Sequence, residues 1–445
     1  MIELIQNLIG GGPAVKVASQ LAGLLRSGRI PAESLLPPVR ELAAALRVSP
    51  GTAAAAYKAL RAQGLVSADR RRGTRVLPRV STREYGDAEL KVRAGALDLR
   101  VANPDPALLP HLRRLLSSID ATSESYSGDH AEPALAAVMR AAFSADGVPA
   151  AHLCVTSGAV GAIHRALRVR LSPGDRVAVE DPGFNDHHAS VRAHGLLAVP
   201  VPLDDQGLLP AALEAALRGG ARAVILAPRF QSPSGAALGR KRAAELKAVF
   251  ARHPDTLVLI DDYASLLCEP GSYHHCLDKA HQRFLVVRSF NKVLAPDLRV
   301  GVAAADAETA DLMAREQWLA EGWVSAYLQR IAAAALADQR ALALIARARA
   351  TYAERRVALL EALAAQGIAA RGASGLNVWI PVPDEAAVER GLLERGYVVR
   401  AGARYRIASP PAIRITTARL PVEEAPRLAA AVARALNAGT HGRGP

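Results

Sequence analysis

A chain of 445 residues, half of them hydrophobic, is too long for one ordinary domain and too apolar to be disordered. No apolar run approaches the roughly 18 residues that span a bilayer. The start carries no basic secretory region, and Cys154, Cys268 and Cys276 are too few for a disulfide framework, so a cytoplasmic, membrane-free protein is expected. The net charge of +13 is lopsided: residues 1–80 hold twelve Lys/Arg against four Asp/Glu, a net +8, which points to a polyanion partner for that part alone.

In chain order, apolar residues at helical spacing predict a first helix over Ala14–Arg26, stopped by Gly28 and Pro31. Pro37-Pro38 open a second helix, Val39–Leu46. After a turn at Arg47-Val48, Ser49 as N-cap and Pro50 at the first helical position start a third helix through Arg61, ended by Gly64. Leu65–Ala68 and Thr74–Leu77 read as two short strands turned by Asp69–Gly73. Two helices joined by a tight turn and followed by a basic hairpin make a winged helix-turn-helix, whose third helix enters a major groove while the wing follows the backbone.

Leu36-Pro37-Pro38-Val39-Arg40-Glu41-Leu42-Ala43, Val48-Ser49-Pro50-Gly51-Thr52, Tyr57-Lys58-Ala59-Leu60 and Gly64-Leu65-Val66 resemble the GntR family of regulators. That resemblance implies double-stranded DNA as partner. It places Arg40, Ser49, Thr52, Tyr57, Lys58, Arg70, Arg71, Arg72, Gly73 and Thr74 on the DNA side, with Tyr57 equally readable as a core aromatic. Where members often carry Arg or Asn, this chain has Pro50 and Gly51, and Ala53–Ala56 offer no hydrogen-bonding side chain. Base readout is therefore expected from Arg40, Thr52 and the wing, with phosphate contacts from Lys58 and Arg70–Arg72.

Residues 1–79 thus form a DNA-binding domain, 80–95 a polar linker, 96–437 a large body with lobes near 110–330 and 345–437, and 438–445 a tail. In the body, apolar runs at 176–179, 223–226, 257–260 and 284–287 alternate with Ala/Leu-rich helical stretches, which argues an α/β fold with a mainly parallel sheet. Chemistry gathers at the ends of those runs. Thr156–Gly161 precedes a helix whose free N–H groups suit a phosphate. Glu180–Phe184 ends in an aromatic that can stack on a ring. Asp261-Asp262-Tyr263 puts two carboxylates and a phenol at one strand end, and Ser289-Phe290-Asn291-Lys292 ends the next, with Arg299 seven residues on. A lysine desolvated at a strand end keeps its amine reactive towards carbonyls.

As an ordered set these pieces resemble the fold-type I, aminotransferase-like domain, and its fusion to a GntR unit resembles the MocR subfamily, most closely the PtsJ-type branch linked to vitamin B6 metabolism. The resemblance implies pyridoxal 5'-phosphate as cofactor, with Lys292 as the Schiff-base lysine, Asp261 against the ring nitrogen, Tyr263 and Ser232 near the ring hydroxyl, and Phe184 on the ring. Ala159, Val160, Ser289 and Arg299 would hold the phosphate, Arg414 a ligand carboxylate, and Tyr126 a partner subunit's phosphate. It further implies a head-to-tail, domain-swapped homodimer reading two half-sites. Ser232 stands where the family has Asn, which is expected to weaken cofactor binding and leave Tyr263 as the main partner of the ring hydroxyl. Asp186 lies near the ring where some relatives carry Arg.

The spacing of His274, His275, Cys276 and His281 fits no closed zinc pattern, so a solvated loop and no metal are expected; Arg229 is left open between ligand contact and surface. The expected function is a cofactor-responsive transcription regulator rather than an enzyme, because an enzyme has no need of residues 1–80. The alternative is a working aminotransferase with an accessory DNA-binding unit.

Overall fold

The computed structural model describes residues 1–31, 34–62, 65–69, 73–76, 95–120, 122, 126, 130–278 and 280–441, the backbone alone at 26, 62, 67–69 and 438–441. The expected wing arginines Arg70–Arg72 and nearly all of the expected linker lie outside these residues.

The N-terminal unit contains α1 (Ile2–Leu8), α2 (Ala14–Ser27), α3 (Val39–Leu46) and α4 (Pro50–Ala62), then the antiparallel pair β1 (Val66–Asp69) and β2 (Gly73–Val76). Gly28, at φ 75°, ends α2, and Arg47, at φ 52°, ends α3 and makes the tight turn. Ser49 Oγ accepts from Thr52 N at 3.0 Å, the N-cap expected for α4. Val17, Leu21, Leu42, Leu46, Ala53, Ala56 and Leu60 form the shared core. Helix α1 was not foreseen. It buries Ile5, with Ile9 just beyond it, in that core, and the chain then crosses the turn so closely that a Cβ on Gly11 would sit 2.3 Å from Leu46 O.

The body starts with β3 (Leu97–Asp98) and continues through β4 (His152–Thr156), β5 (Arg176–Asp181), β6 (Leu197–Asp204), β7 (Gly207–Leu208), β8 (Ala221–Leu226), β9 (Leu257–Asp261), β10 (Phe284–Ser289) and β11 (Gly301–Ala305). Strands β4 to β11 form one sheet in the order β4-β11-β10-β9-β8-β5-β6-β7. The pairs β8/β9 and β9/β10 are parallel, and β11 runs antiparallel to β10 and β4. Every residue of β9, β10 and β11 is buried, so both sheet faces are covered; this is why these strands read as unbroken apolar runs. The register sets Val287 beside Asp261 and Ile260 beside Leu226, which brings the C-terminal ends of β8, β9 and β10 to one edge.

A smaller lobe packs the antiparallel strands β12 (Asn377–Pro381), β14 (Arg400–Ala401) and β15 (Ala412–Thr416), in the order β12-β15-β14, against helices Glu385–Glu394 and Ala425–His441. The expected boundary at 345 falls inside one helix, Gln339–Ala365. Strand β13 (Tyr397–Val398) pairs in parallel with β3, so the first strand of the body belongs with this lobe.

Candidate functional site

On the winged helix, Arg40, Ser49, Lys58 and Gly73 are exposed, and Thr52 and Thr74 half-buried. Ser49 spends one acceptor on its cap and lies 2.9 Å from the Thr52 hydroxyl, so the pair acts as one polar unit at the start of α4. Tyr57 does not reach this face. It is 6 % exposed, and its hydroxyl donates to Pro37 O at 2.6 Å, tying α4 to the start of α3. Of the two readings open for it, the structure takes the core aromatic.

In the body, strand order gathers the expected cofactor residues. Lys292 follows β10, and its Nζ donates to Ala102 O at 2.6 Å. Burial, then the cations Arg414 and Arg299, bring its amine down to about 8, with Asp186 opposing. At the end of β9, Asp261 is 3 % exposed. Its Oδ2 lies 3.0 Å from His187 Nε2, while its Oδ1 is buried with no hydrogen-bond partner among the described residues. A buried carboxylate oxygen without a donor is costly unless a ligand supplies one. Phe184 meets His187 edge-on, centroids 5.2 Å apart. His187 was missed in the sequence reading; its one signal was its place three residues beyond Phe184 in the helix Asn185–Ala193.

The loop Ser157-Gly158 opens the helix Ala159–Arg170, and Arg299 Nη2 donates to Ser157 O at 3.3 Å. Gly158 is at φ 103°, and a Cβ on Gly301 would fall 3.0 Å from Gly158 Cα, so two glycines let β11 pass beneath this loop. Ser289 Oγ lies 3.2 Å from Tyr263 O and 3.0 Å from Asn291 Oδ1. Tyr263 donates its hydroxyl hydrogen to Phe230 O at 2.7 Å, leaving the oxygen to accept. Ser232 is buried.

Arg414 is buried on β15 above the Tyr405 ring, 4.6 Å from its centroid, and Nη2 donates to Arg100 O. Asp186 has its carboxyl raised by burial, opposed by His187, Arg404, Arg299 and Lys292, which places an acid among the site's cations. Glu180 accepts from Ala227 N and from Gln231 Nε2, each at 3.0 Å, and burial pushes it up to about 7. Asp181 accepts from the amides of Ile407, Ala408 and Ser409 and from Ser409 Oγ, which fastens this loop to the smaller lobe.

Other expectations resolve differently. Arg229 pairs through two nitrogens with Asp262, at 2.7 and 2.9 Å, and Arg288 shares that carboxylate at 2.8 Å; this is a buried ion cluster and not a ligand contact. The stretch around Cys276 is not a solvated loop. Tyr273, Cys276 and His281 are buried, and His281 Nε2 lies 2.9 Å from Thr256 O. Among the described residues no group of three His, Cys, Asp or Glu could hold a metal, and no helix is long and apolar enough to cross a membrane. Tyr126 is 86 % exposed and edge-on to Trp323 at 5.7 Å.

Residues 115–432 match the family model for class I and II aminotransferases, and residues 13–76 that for the gntR family of bacterial regulatory proteins. The chain is 37 % identical over 435 residues to the vitamin B6 salvage pathway transcriptional repressor PtsJ of Salmonella typhimurium, covering 97 % of this chain and all of that one. It is 26 % identical to the pyridoxine biosynthesis transcriptional regulator PdxR of Corynebacterium glutamicum over 73 % of this chain and 72 % of the relative. A kynurenine aminotransferase structure from Pyrococcus horikoshii superposes with a TM-score of 0.73 at 21 % identity, covering 81 % of this chain and 95 % of that one, a likeness of fold.

Proposed function

The chain belongs to the MocR-type regulators, in which a gntR-family DNA-binding unit is fused to a class I and II aminotransferase domain, and we propose that it senses pyridoxal 5'-phosphate and controls vitamin B6 genes. The observation that carries the cofactor reading is the buried Asp261 Oδ1, a lone acceptor on the same sheet edge as a lysine of lowered basicity. The residues fit the group. Asp261, whose other oxygen lies 3.0 Å from His187 Nε2, would receive a pyridinium N–H, and Phe184 would cover the ring. Amides of Ala159 and Val160, with Ser289 and Arg299, would take the phosphate. When bound, the cofactor supplies an aldehyde for a lysine amine and a ring that absorbs visible light.

Lys292 is suited to that aldehyde because burial keeps part of it neutral near pH 7. With Tyr263 donating to Phe230 O and Ser232 carrying only a short hydroxyl, the ring hydroxyl would find few donors, in keeping with a sensor that releases its ligand. Arg40, Thr52 and the wing at Gly73-Thr74 would read bases, and Lys58 and Arg70–Arg72 the phosphates. A cytoplasmic head-to-tail dimer, in which Tyr126 reaches the partner's site, would present two winged helices to two half-sites. A titration of the chain's own promoter DNA with purified protein, with and without the cofactor, tests the reading. We expect preference over random DNA, steep salt dependence and an affinity that changes with the cofactor; equal binding to random DNA would overturn it.

A further inference from the structure

Two of the site's cations are tied to one stretch of the chain's own backbone. Lys292 Nζ donates to Ala102 O at 2.6 Å, and Arg414 Nη2 donates to Arg100 O. Both acceptors belong to one short segment whose ends are pinned. At its start, β3 pairs with β13, Leu97 against Tyr397, with Leu97 N donating to Gly396 O and Leu99 N to Val398 O, both at 2.8 Å. Leu99 O accepts from Thr416 N at 3.0 Å, and Arg100 grips Asp98 through two nitrogens, at 3.0 and 2.6 Å. At its far end, Asp105 N donates to the Tyr352 hydroxyl oxygen at 2.9 Å, and Arg355 holds the Asp105 carboxylate, also at 2.9 Å. Between these anchors the backbone lies across the groups a ligand must use. In the sequence, the segment directly follows residues 77–96, which join the body to the winged helix.

We propose that Arg100–Ala102 is a built-in occupant of the ligand site, exchanged for the ligand, and that this exchange carries the site's occupancy to the stretch leading to the DNA-binding unit. The inference rests on the reading of Lys292 as the cofactor lysine. A Lys292 nitrogen that condenses with an aldehyde forms a carbon–nitrogen double bond as the aldehyde oxygen leaves in water. The two hydrogens lost from that amine go with the water, and the nitrogen keeps at most one proton, held in the plane of the new double bond, so Ala102 O loses its freely turning donor. A ligand carboxylate placed on Arg414 competes in the same way with Arg100 O, and a charged acceptor outbids a carbonyl. Each carbonyl left in a half-closed site without its donor favours movement to water or another partner. Because the ligand favours one arrangement of the segment over the other, it shifts the population between them.

Hydrogen exchange of the full-length protein tests the displacement directly. On addition of pyridoxal phosphate, peptides spanning 97–103 should exchange several-fold faster while the helix start at 159–162 becomes protected. Lys292→Met should give fast exchange at 97–103 without the cofactor and no response to it. Slowed or unchanged exchange at 97–103 in a protein whose visible band shows the cofactor bound would overturn the proposal. The link to DNA is tested in one protein carrying Leu97→Cys and Tyr397→Cys, compared oxidised and reduced. Reduced, its DNA affinity should change with the cofactor by an amount within the roughly 5- to 150-fold range of ordinary coupling. Oxidised, it should bind the cofactor and lose that response. An equal response in both forms refutes the relay. A cofactor band with no DNA response in the wild-type chain would instead refute the regulator reading, and the exchange data would still decide the displacement.

Discussion

The basicity of Lys292 makes a prediction whose sign differs between two neighbours. Burial first, then Arg414 and Arg299, lower its amine from 10.5 to about 8, while Asp186 pulls the other way. At pH 7 about one amine in ten is then neutral, against about one in three thousand for an ordinary lysine, a gain of about 300-fold in the form that attacks a carbonyl. The rate at which added pyridoxal phosphate develops its visible band, followed by stopped flow, should rise with pH and level off above about 8. Arg414→Met removes a repelling cation, moves the midpoint up and slows capture at pH 7 by about 2- to 10-fold, the upper figure being one pKa unit. Asp186→Asn removes the opposing acid, moves the midpoint down and speeds capture at pH 7. Titration of the free cofactor is common to all three proteins and cancels. A midpoint near 10.5, or shifts of the same sign in both variants, would refute this account of the site's electrostatics.

Glu180, raised from 4.5 to about 7 by burial, should make the folded state lose stability as pH rises from 4.5 to 7, because the unfolded chain ionises first. Glu180→Gln should flatten that slope, worth at most about 3 kcal/mol, in thermal melts across this range. Asp262→Ala leaves the buried Arg229 and Arg288 to share Asp146 alone and should cost about 3–5 kcal/mol in urea unfolding, with Asp262→Asn less severe. On the DNA side, Arg40→Ala should cost about 1–3 kcal/mol at its cognate site and relax preference there. Lys58→Ala should weaken all sequences alike and reduce the salt slope by about one; identical effects of the two would break the division between base and phosphate contacts.

Much of this was legible in the sequence, for stateable reasons. Strands buried on both faces must be apolar throughout, so β5, β8, β9 and β10 stood out as runs. Proline, glycine and Ser49 punctuate the winged helix, and the turns at Gly28 and Arg47 fell where expected, while Gly64 and the wing residues Arg70–Arg72 lie outside the described residues. Lys292, Asp261 and Phe184 converge because each ends or follows a strand of one sheet. What stayed hidden lacks a local pattern. His187 matters through Asp261, far along the chain, and the acceptors of Lys292 and Arg414 are backbone carbonyls, which no residue type announces. Tyr57 was ambiguous because an aromatic on a helix can face a core or a groove, and Pro37 O settles which. Arg229 sits beside the Ser232 turn in sequence, yet its charge is consumed by Asp262.

The burial of Ile5 and Ile9 bears on how the protein can be cut. The gntR pattern begins at residue 13, and a fragment started there would look complete by sequence. It would strip two isoleucines from beneath the helix-turn-helix and leave a greasy hollow beside Leu46. That seven-residue helix presents Leu4 and Leu8 partly to solvent and is capped by Met1, so a purification tag fused to Met1 would attach directly to a packed element. Tags at the opposite terminus, or excisable ones, are the sound choice for measuring how this molecule reads DNA.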